Sequence, residues 1–167
     1  MKLLEQYNDI EIYRLDKEIA IRYSLDILNL LKLIPKSNYK LEDIVSDVKK
    51  DRIMYGKWDY SLIAIKEQRL VGVLIGYERK KDGVYLENCF YINEIAVCIH
   101  KIGLGKKLIE MFLENSKYFY LDGDLKFRIQ TEDSYENRKV IKLYHSIGFV
   151  NVGKKVYKEK TDLILEK

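Results

Sequence analysis

One stretch at the centre of this chain constrains the fold more than any other. Phe90-Tyr91-Ile92-Asn93-Glu94-Ile95-Ala96-Val97 reads as a strand, and His100-Lys101-Ile102-Gly103-Leu104-Gly105 follows as a glycine turn. Leu108, Ile109, Phe112 and Leu113 then recur at helical spacing. A strand that passes through glycines straight into a helix start presents backbone N–H groups with no internal partner. They lie at the end of the helix where the dipole favours an anion. Gly103 and Gly105 lack a Cβ, so a bulky anionic ligand can approach the main chain closely.

Two common phosphate loops do not fit these letters. A Walker loop requires GxxxxGK followed by Ser or Thr, but Gly105-Lys106 is followed by Lys107, and His100 stands where the first glycine belongs. A dinucleotide-binding turn requires GxGxxG, and Leu108 occupies the third glycine position.

A second segment carries its own pattern: Asn137-Arg138-Lys139-Val140-Ile141-Lys142-Leu143-Tyr144-His145-Ser146-Ile147-Gly148-Phe149. Seven residues at about 100° each return Asn137 and Tyr144 to nearly the same helix face, two turns apart. Val140, Leu143 and Ile147 read as the core stripe, and Gly148 as the glycine that ends the helix.

Taken together, the two segments resemble the GNAT superfamily of N-acetyltransferases. The first is similar to the family's pyrophosphate loop, Q/R-x-x-G-x-G/A, with His100 in place of the usual Gln or Arg. The loop from Val97 to Gly103 is also shorter than usual. The second is similar to the family's N-x-x-A-x-x-L-Y-x-x-x-G-F segment. The likeness spans about residues 60 to 166, and the first 55 residues fit it only loosely.

The rest of the chain is read from pattern. Asp9 to Leu15 predicts a short strand. Asp16 predicts the cap of a helix running to about Leu33, stopped by the single proline, Pro35. Tyr39 to Lys50 predicts a second helix. Tyr60 to Ile65 and Leu70 to Glu78 predict strands joined by a tight turn at Glu67-Gln68-Arg69. Lys80-Lys81-Asp82-Gly83 predicts a further turn before the long strand to Val97. Helix 103–119, strand Leu125–Thr131, helix 137–147 and strands Phe149–Tyr157 and Asp162–Glu166 complete the order β-α-α-β-β-β-α-β-α-β-β. The resemblance implies the matching fold, of the α/β (α+β) class. Its sheet is mixed and mostly antiparallel, with six to seven strands and helices on both faces.

With 167 residues, 47% hydrophobic and 34% charged, one globular domain covering 1–167 is expected. The net charge of +4 is spread without a block of like charges, which argues against a nucleic-acid partner and leaves a slight bias towards anionic ligands. Cys89 and Cys98 lie nine apart on one extended run, too far to bridge, so reduced thiols and a cytoplasmic setting are expected. The first residues meet charge at once, unlike a secretory signal, and no apolar run reaches membrane-spanning length, so no membrane partner is expected.

The resemblance implies acetyl-CoA as acyl donor and a primary amine, small-molecule or protein, as acceptor. The donor's pyrophosphate would rest on His100, Lys101, Ile102, Gly103, Leu104, Gly105 and Lys106. The backbone of Ile95 and Val97 would pair with the pantetheine arm along a splayed strand, and Asn137 would touch coenzyme A. Tyr144 would protonate the departing thiolate; its bland alternative is a core aromatic. Glu94 is a carboxylate in an otherwise apolar strand, on one face with Phe90, Ile92 and Ala96. It reads either as a general base with a raised pKa or as a solvated, ion-paired residue. Asn93 and Glu87 are weaker candidates, and His145 reads as solvated. Cys98 beside the acyl carrier is more simply a small hydrophobe than a nucleophile. Trp58 reads equally as an acceptor-pocket residue and as a loop anchor. No His/Cys spacing implies a metal. A catalytically inactive acyl-CoA-binding regulator is the alternative function, favoured only by the missing Arg or Gln at 100. A homodimer is possible by family habit.

Overall fold

The computed structural model describes residues 2–83, 85, 87–117 and 125–167. The chain begins with a hairpin of β1 (Leu3–Tyr7) and β2 (Ile10–Arg14). Asp16 then caps α1 (Lys17–Arg22), its side chain accepting from the Ile19 amide at 2.8 Å. Next come α2 (Ser24–Leu31), α3 (Leu41–Val45), a small hairpin of β3 (Val48–Lys49) and β4 (Arg52–Ile53), and α4 (Lys57–Tyr60). β5 (Leu62–Lys66), β6 (Arg69–Arg79) and β7 (Cys89–Val97) follow, then α5 (Leu104–Lys117). The chain closes with β8 (Phe127–Glu132), α6 (Arg138–Ile147), β9 (Val150–Val156) and β10 (Thr161–Glu166).

Eight of these strands form one sheet in the order β1-β2-β5-β6-β7-β8-β10-β9. Every pairing is antiparallel except β7 with β8. That parallel contact follows from the connection: a crossover through α5 returns the chain in the same direction, whereas hairpins reverse it. Helices cover both faces. On one face α5 and α6 pack Leu108, Ile109, Phe112, Tyr144 and Ile147 against Ile12, Leu62, Leu74, Phe90 and Ile92. On the other, α1, α2 and α3 pack Ile19, Ile27, Leu31 and Ile44 against Ile63, Ile65, Val73, Ile75 and Ala96. Adjacent strand residues go to opposite faces, and both cores are apolar, so the central strands read as continuous hydrophobic runs.

The fold departs from the sequence reading mainly in the first 60 residues. The sheet has eight strands rather than six or seven, because Leu3–Tyr7 adds an edge strand before the expected first one. The expected helix from Asp16 to Leu33 is broken at Tyr23, whose φ −103° and ψ 16° are not helical. The expected helix over 39–50 is a single turn, α3, followed by the β3–β4 hairpin; Lys50 and Asp51, both at positive φ, make that turn. The helical turn α4 precedes β5 unannounced. The last two residues of the expected helix 103–119 lie outside the described residues. In α6 the expected stripe residue Val140 is exposed, and the buried positions are Tyr144 and Ile147.

Candidate active site

The glycine turn meets the start of α5 as its spacing predicts. Gly103 sits at φ +77°, a conformation that strains a side chain and that glycine adopts freely. The Lys107 amide makes the first bond of the helix, to the Gly103 carbonyl at 3.0 Å. The amides of Leu104, Gly105 and Lys106 therefore have no acceptor within the helix and emerge from its first turn. Gly105 lies where three elements converge: a Cβ there would stand 3.7 Å from Leu143 of α6 and 4.0 Å from Val97 of β7. His100, Lys101 and Lys106 are exposed around this corner, and Ile102 packs against the core.

The turn is held from a direction the sequence did not reveal. The Tyr7 hydroxyl, from β1, donates to the Ile102 carbonyl at 2.7 Å, and a Cβ on Gly103 would stand 3.2 Å from it. Glu5, also on β1, pairs with Lys107 at 2.5 Å. Neither residue carries a recognisable signal, because the contact joins positions 95 apart in the chain.

Beyond the turn the sheet opens. β7 pairs with β8 only at Phe90, Tyr91 and Ile92, although β7 runs to Val97 and β8 to Glu132. From Asn93 onward the two strands part, so the β8-facing backbone edge of Ile95 and Val97 has no ladder partner among the described residues. The opening is bounded by the start of α5 and by α6. Asn137 occupies the N-cap position of α6, and its amide donates to the Glu132 carbonyl at 3.1 Å, tying the helix start to the end of β8. Across the opening, Lys36 pairs with Glu132 at 2.6 Å and so anchors the segment between α2 and α3.

Asn93 is also a β-bulge. Ile75 of β6 pairs with Glu94 and Gly76 with Ile92, which leaves Asn93 as the extra residue. The bulge corrects the expected face for Glu94. Phe90 and Ile92 point into the α5 core, whereas Ala96 packs in the α1–α3 core, and Glu94, two residues before Ala96, lies on that second face.

There Glu94 is half-buried, and loss of water pushes its pKa up to about 7 against opposing pulls from Lys49, the Tyr39 hydroxyl and Lys160. The side chain of Asn93 joins the same neighbours. It donates to the Tyr39 hydroxyl, and its carbonyl accepts from Lys49 Nζ at 2.9 Å. Lys49 is exposed overall, yet desolvation lowers its pKa. Tyr144 is buried, and its phenol is raised first by burial and then by the charge of Glu94. That coupling puts the Tyr144 phenol in electrostatic range of the carboxylate, although the two lie on different elements. Tyr39 and Lys49 fell within what read as one uniform helix, so nothing in the sequence singled them out.

The other residues singled out in the sequence sit in local surroundings of their own. Glu87 pairs with Lys126 at 2.9 Å. His145 Nδ1 lies 2.9 Å from the Phe149 carbonyl, just past the end of its own helix. Cys89 and Cys98 are both free thiols, buried and exposed respectively. Trp58 is half-buried against the α1–α3 core, with the Lys57 ammonium 4.6 Å from its ring centre. Among the described residues no group of three His, Cys, Asp or Glu side chains is placed to hold a metal ion.

No protein-family model matches the sequence, and no curated protein does. Solved structures do match the fold. Naa50 of Arabidopsis thaliana, in complex with a bisubstrate analogue CoA-Ac-MVNAL, is 13% identical over 95% of this chain and 98% of its own, with a TM-score of 0.69. The ribosomal-protein-S18-alanine N-acetyltransferase from Escherichia coli is 16% identical over 94% and 92%, with a TM-score of 0.65. A GNAT-family acetyltransferase from Bacillus cereus is 14% identical over 95% and 96%, with a TM-score of 0.61. The fold is thus that of the GNAT acetyltransferases, shared over nearly the whole chain.

Proposed function

We propose that this protein transfers an acetyl group from acetyl-CoA to a primary amine, by direct attack in a ternary complex. The observation that carries this reading is the opening between β7 and β8. It exposes a strand edge that leads to a helix start with unpartnered amides, and the same strand carries a carboxylate of near-neutral pKa. Neighbours of the same fold include one solved with a CoA bisubstrate analogue and one with CoA and a peptide.

In this reading the donor's pyrophosphate rests on the amides of Leu104, Gly105 and Lys106, where the helix dipole favours negative charge. Exposed His100, Lys101 and Lys106 add donors around it. The pantetheine amides pair with the open edge of Ile95 and Val97 as an added strand would. A backbone N–H near Val97 polarises the thioester carbonyl, and its gain is greatest as the oxyanion forms. Glu94, ionised in about half of the molecules at its pKa of about 7, accepts the proton of the attacking amine, directly or through water. Burial keeps the Tyr144 phenol protonated at neutral pH. It can hydrogen-bond the departing sulfur and pass it a proton. Asn137 supports the wall of α6 that faces coenzyme A. Free thiols at Cys89 and Cys98 fit a reducing, cytoplasmic setting.

The alternative of an inactive acyl-CoA-binding regulator has only the substitution at His100 in its favour, and a silent site has no need of a desolvated carboxylate. Thiol release from acetyl-CoA, measured with a panel of primary amines, tests the proposal, with Gly105→Glu as the control that places a negative charge at the pyrophosphate. Amine-dependent release lost in the control is expected. CoA-dependent thermal stabilisation without turnover of any amine would establish the regulator instead.

A further inference from the structure

Around Glu94 the face covered by α1–α3 holds cations without carboxylate partners. Arg79, at the end of β6, lies half-buried with its guanidinium carbon 3.2 Å from the centre of the Tyr91 ring and 5.0 Å from that of Tyr85. Its Nε is buried and has no hydrogen-bond partner. Lys49, on the β3–β4 hairpin, touches Asn93 Oδ1 at 2.9 Å. Among the described residues neither Arg79 nor Lys49 has a carboxylate within salt-bridge distance. Lys160 differs, since Asp162 Oδ2 accepts from it at 3.2 Å. Lys49 interacts electrostatically with both Glu94 and Arg79. Glu94 alone does not balance the two cations. Two cations converging beside a base, one with a buried, unused N–H, form a receptor for an anion carried by the molecule whose amine reaches that base.

Resting on the acetyl-transfer reading above, we infer that the preferred acceptor carries an anionic group close to its primary amine, as in a free amino acid or a peptide whose first residue is acidic, and that Lys49 and Arg79 select it. The amine would approach Glu94 while the anionic group takes the bond that Arg79 Nε lacks. Tyr91 stacking fixes the plane of the guanidinium, which favours a planar, bidentate carboxylate over a point charge.

The test uses the intact protein, acetyl-CoA and matched acceptors: short peptides beginning with Asp or Glu against Asn or Gln, and free amino acids against their amides. Acidic members should show about 10- to 100-fold higher kcat/KM, the range of a hydrogen bond to a charged group. Arg79→Gln should shrink that ratio without changing the Kd for CoA or the rate with neutral acceptors; Lys49→Gln should shrink it too, while lowering both rates at neutral pH because Lys49 no longer holds the Glu94 pKa down. Equal rates for acidic and neutral members, or a ratio that survives both substitutions, overturns the anionic acceptor while leaving acetyl transfer in place. Turnover of no member, with CoA still bound, overturns the acetyl-transfer reading and this inference with it.

Discussion

The hold of β1 on the glycine turn gives the sharpest prediction. Tyr7→Phe deletes one hydroxyl, whose proton bonds the Ile102 carbonyl at 2.7 Å in a partly buried setting. A neutral bond of this kind is worth about 0.5–1.5 kcal/mol net. For a chain of this size that lowers Tm by roughly 1–6 °C. Affinity for CoA depends on whether the turn stays shaped without the bond. Lys101, a non-glycine residue, holds φ +68°, which costs on the order of 1 kcal/mol or more. The turn is thus kept in place by outside contacts, of which Tyr7 and the Glu5–Lys107 pair are two. Removing 0.5–1.5 kcal/mol changes the ratio of shaped to unshaped turn by about 2- to 13-fold. The apparent Kd then rises by up to the same factor. Calorimetric titration with CoA should show that weakening, and titration with pantetheine, which lacks the pyrophosphate, should not. A variant with lowered Tm and unchanged CoA affinity would show that β1 only staples the sheet edge, and would refute the reasoning.

Further outcomes follow from single groups. For Glu94, folding raises the pKa from 4.5 to about 7, so wild type loses stability as pH rises through that window. Glu94→Gln should therefore be the more stable protein above pH 7, by on the order of 1–3 kcal/mol. It should also lack the fall in kcat/KM expected of wild type as Glu94 is protonated below about pH 7; superimposable denaturation curves and pH–rate profiles would make Glu94 a surface carboxylate. Tyr144→Phe should lower kcat about 10- to 1,000-fold with little change in CoA affinity, and a wild-type kcat from pH 6 to 9 would return Tyr144 to the core. Lys57, 1% exposed, donates to the carbonyls of Asp43, Ile44 and Ser46 and so caps the end of α3. Lys57→Met should cost about 2 kcal/mol or more in urea denaturation by orphaning those carbonyls. Because burial lowers the lysine's pKa to about 8, the deficit should grow as pH rises from 8 towards 10.5, where wild type gains stability because the folded lysine is neutral while the unfolded one still holds its proton. A neutral effect would mean that water replaces the ammonium.

The central and C-terminal parts of the fold were legible because their signals are local. Gly103 and Gly148 mark helix boundaries, and Asp16 its own cap. In α6 the spacing of Asn137 and Tyr144 is set by the helical period alone. The N-terminal half was harder, because its breaks come from tertiary packing. Tyr23 interrupts a helical pattern with no proline or glycine to announce it. The single turn of α3 ends where the Lys57 ammonium takes its last carbonyls, a partner more than ten residues away. In the proposed reading the acceptor side of the site draws on these segments, so Tyr39 and Lys49 could not be found by spacing, whereas the proposed donor side could.

Glu94 shows how the choice of a residue can rest on a faulty step. Simple alternation puts it on the face of Phe90 and Ile92, which is the α5 core, against Phe112 and Phe127. A carboxylate there would be sealed among aromatic rings and of no use to an amine. The extra residue at Asn93 inverts the phase, so Glu94 opposes Ile75 and faces Tyr39 and Lys49. The bulge lies immediately after Ile92, the last residue paired with β8. One irregularity in β7 thus accompanies two changes: the side chain of the proposed base turns to the face covered by α1–α3, and the backbone beyond it is released from β8. The Asn93 side chain secures the arrangement by bridging Tyr39 and Lys49. A bulge leaves no mark in a hydrophobic pattern beyond one polar residue out of step, and here the polar pair Asn93-Glu94 is that mark.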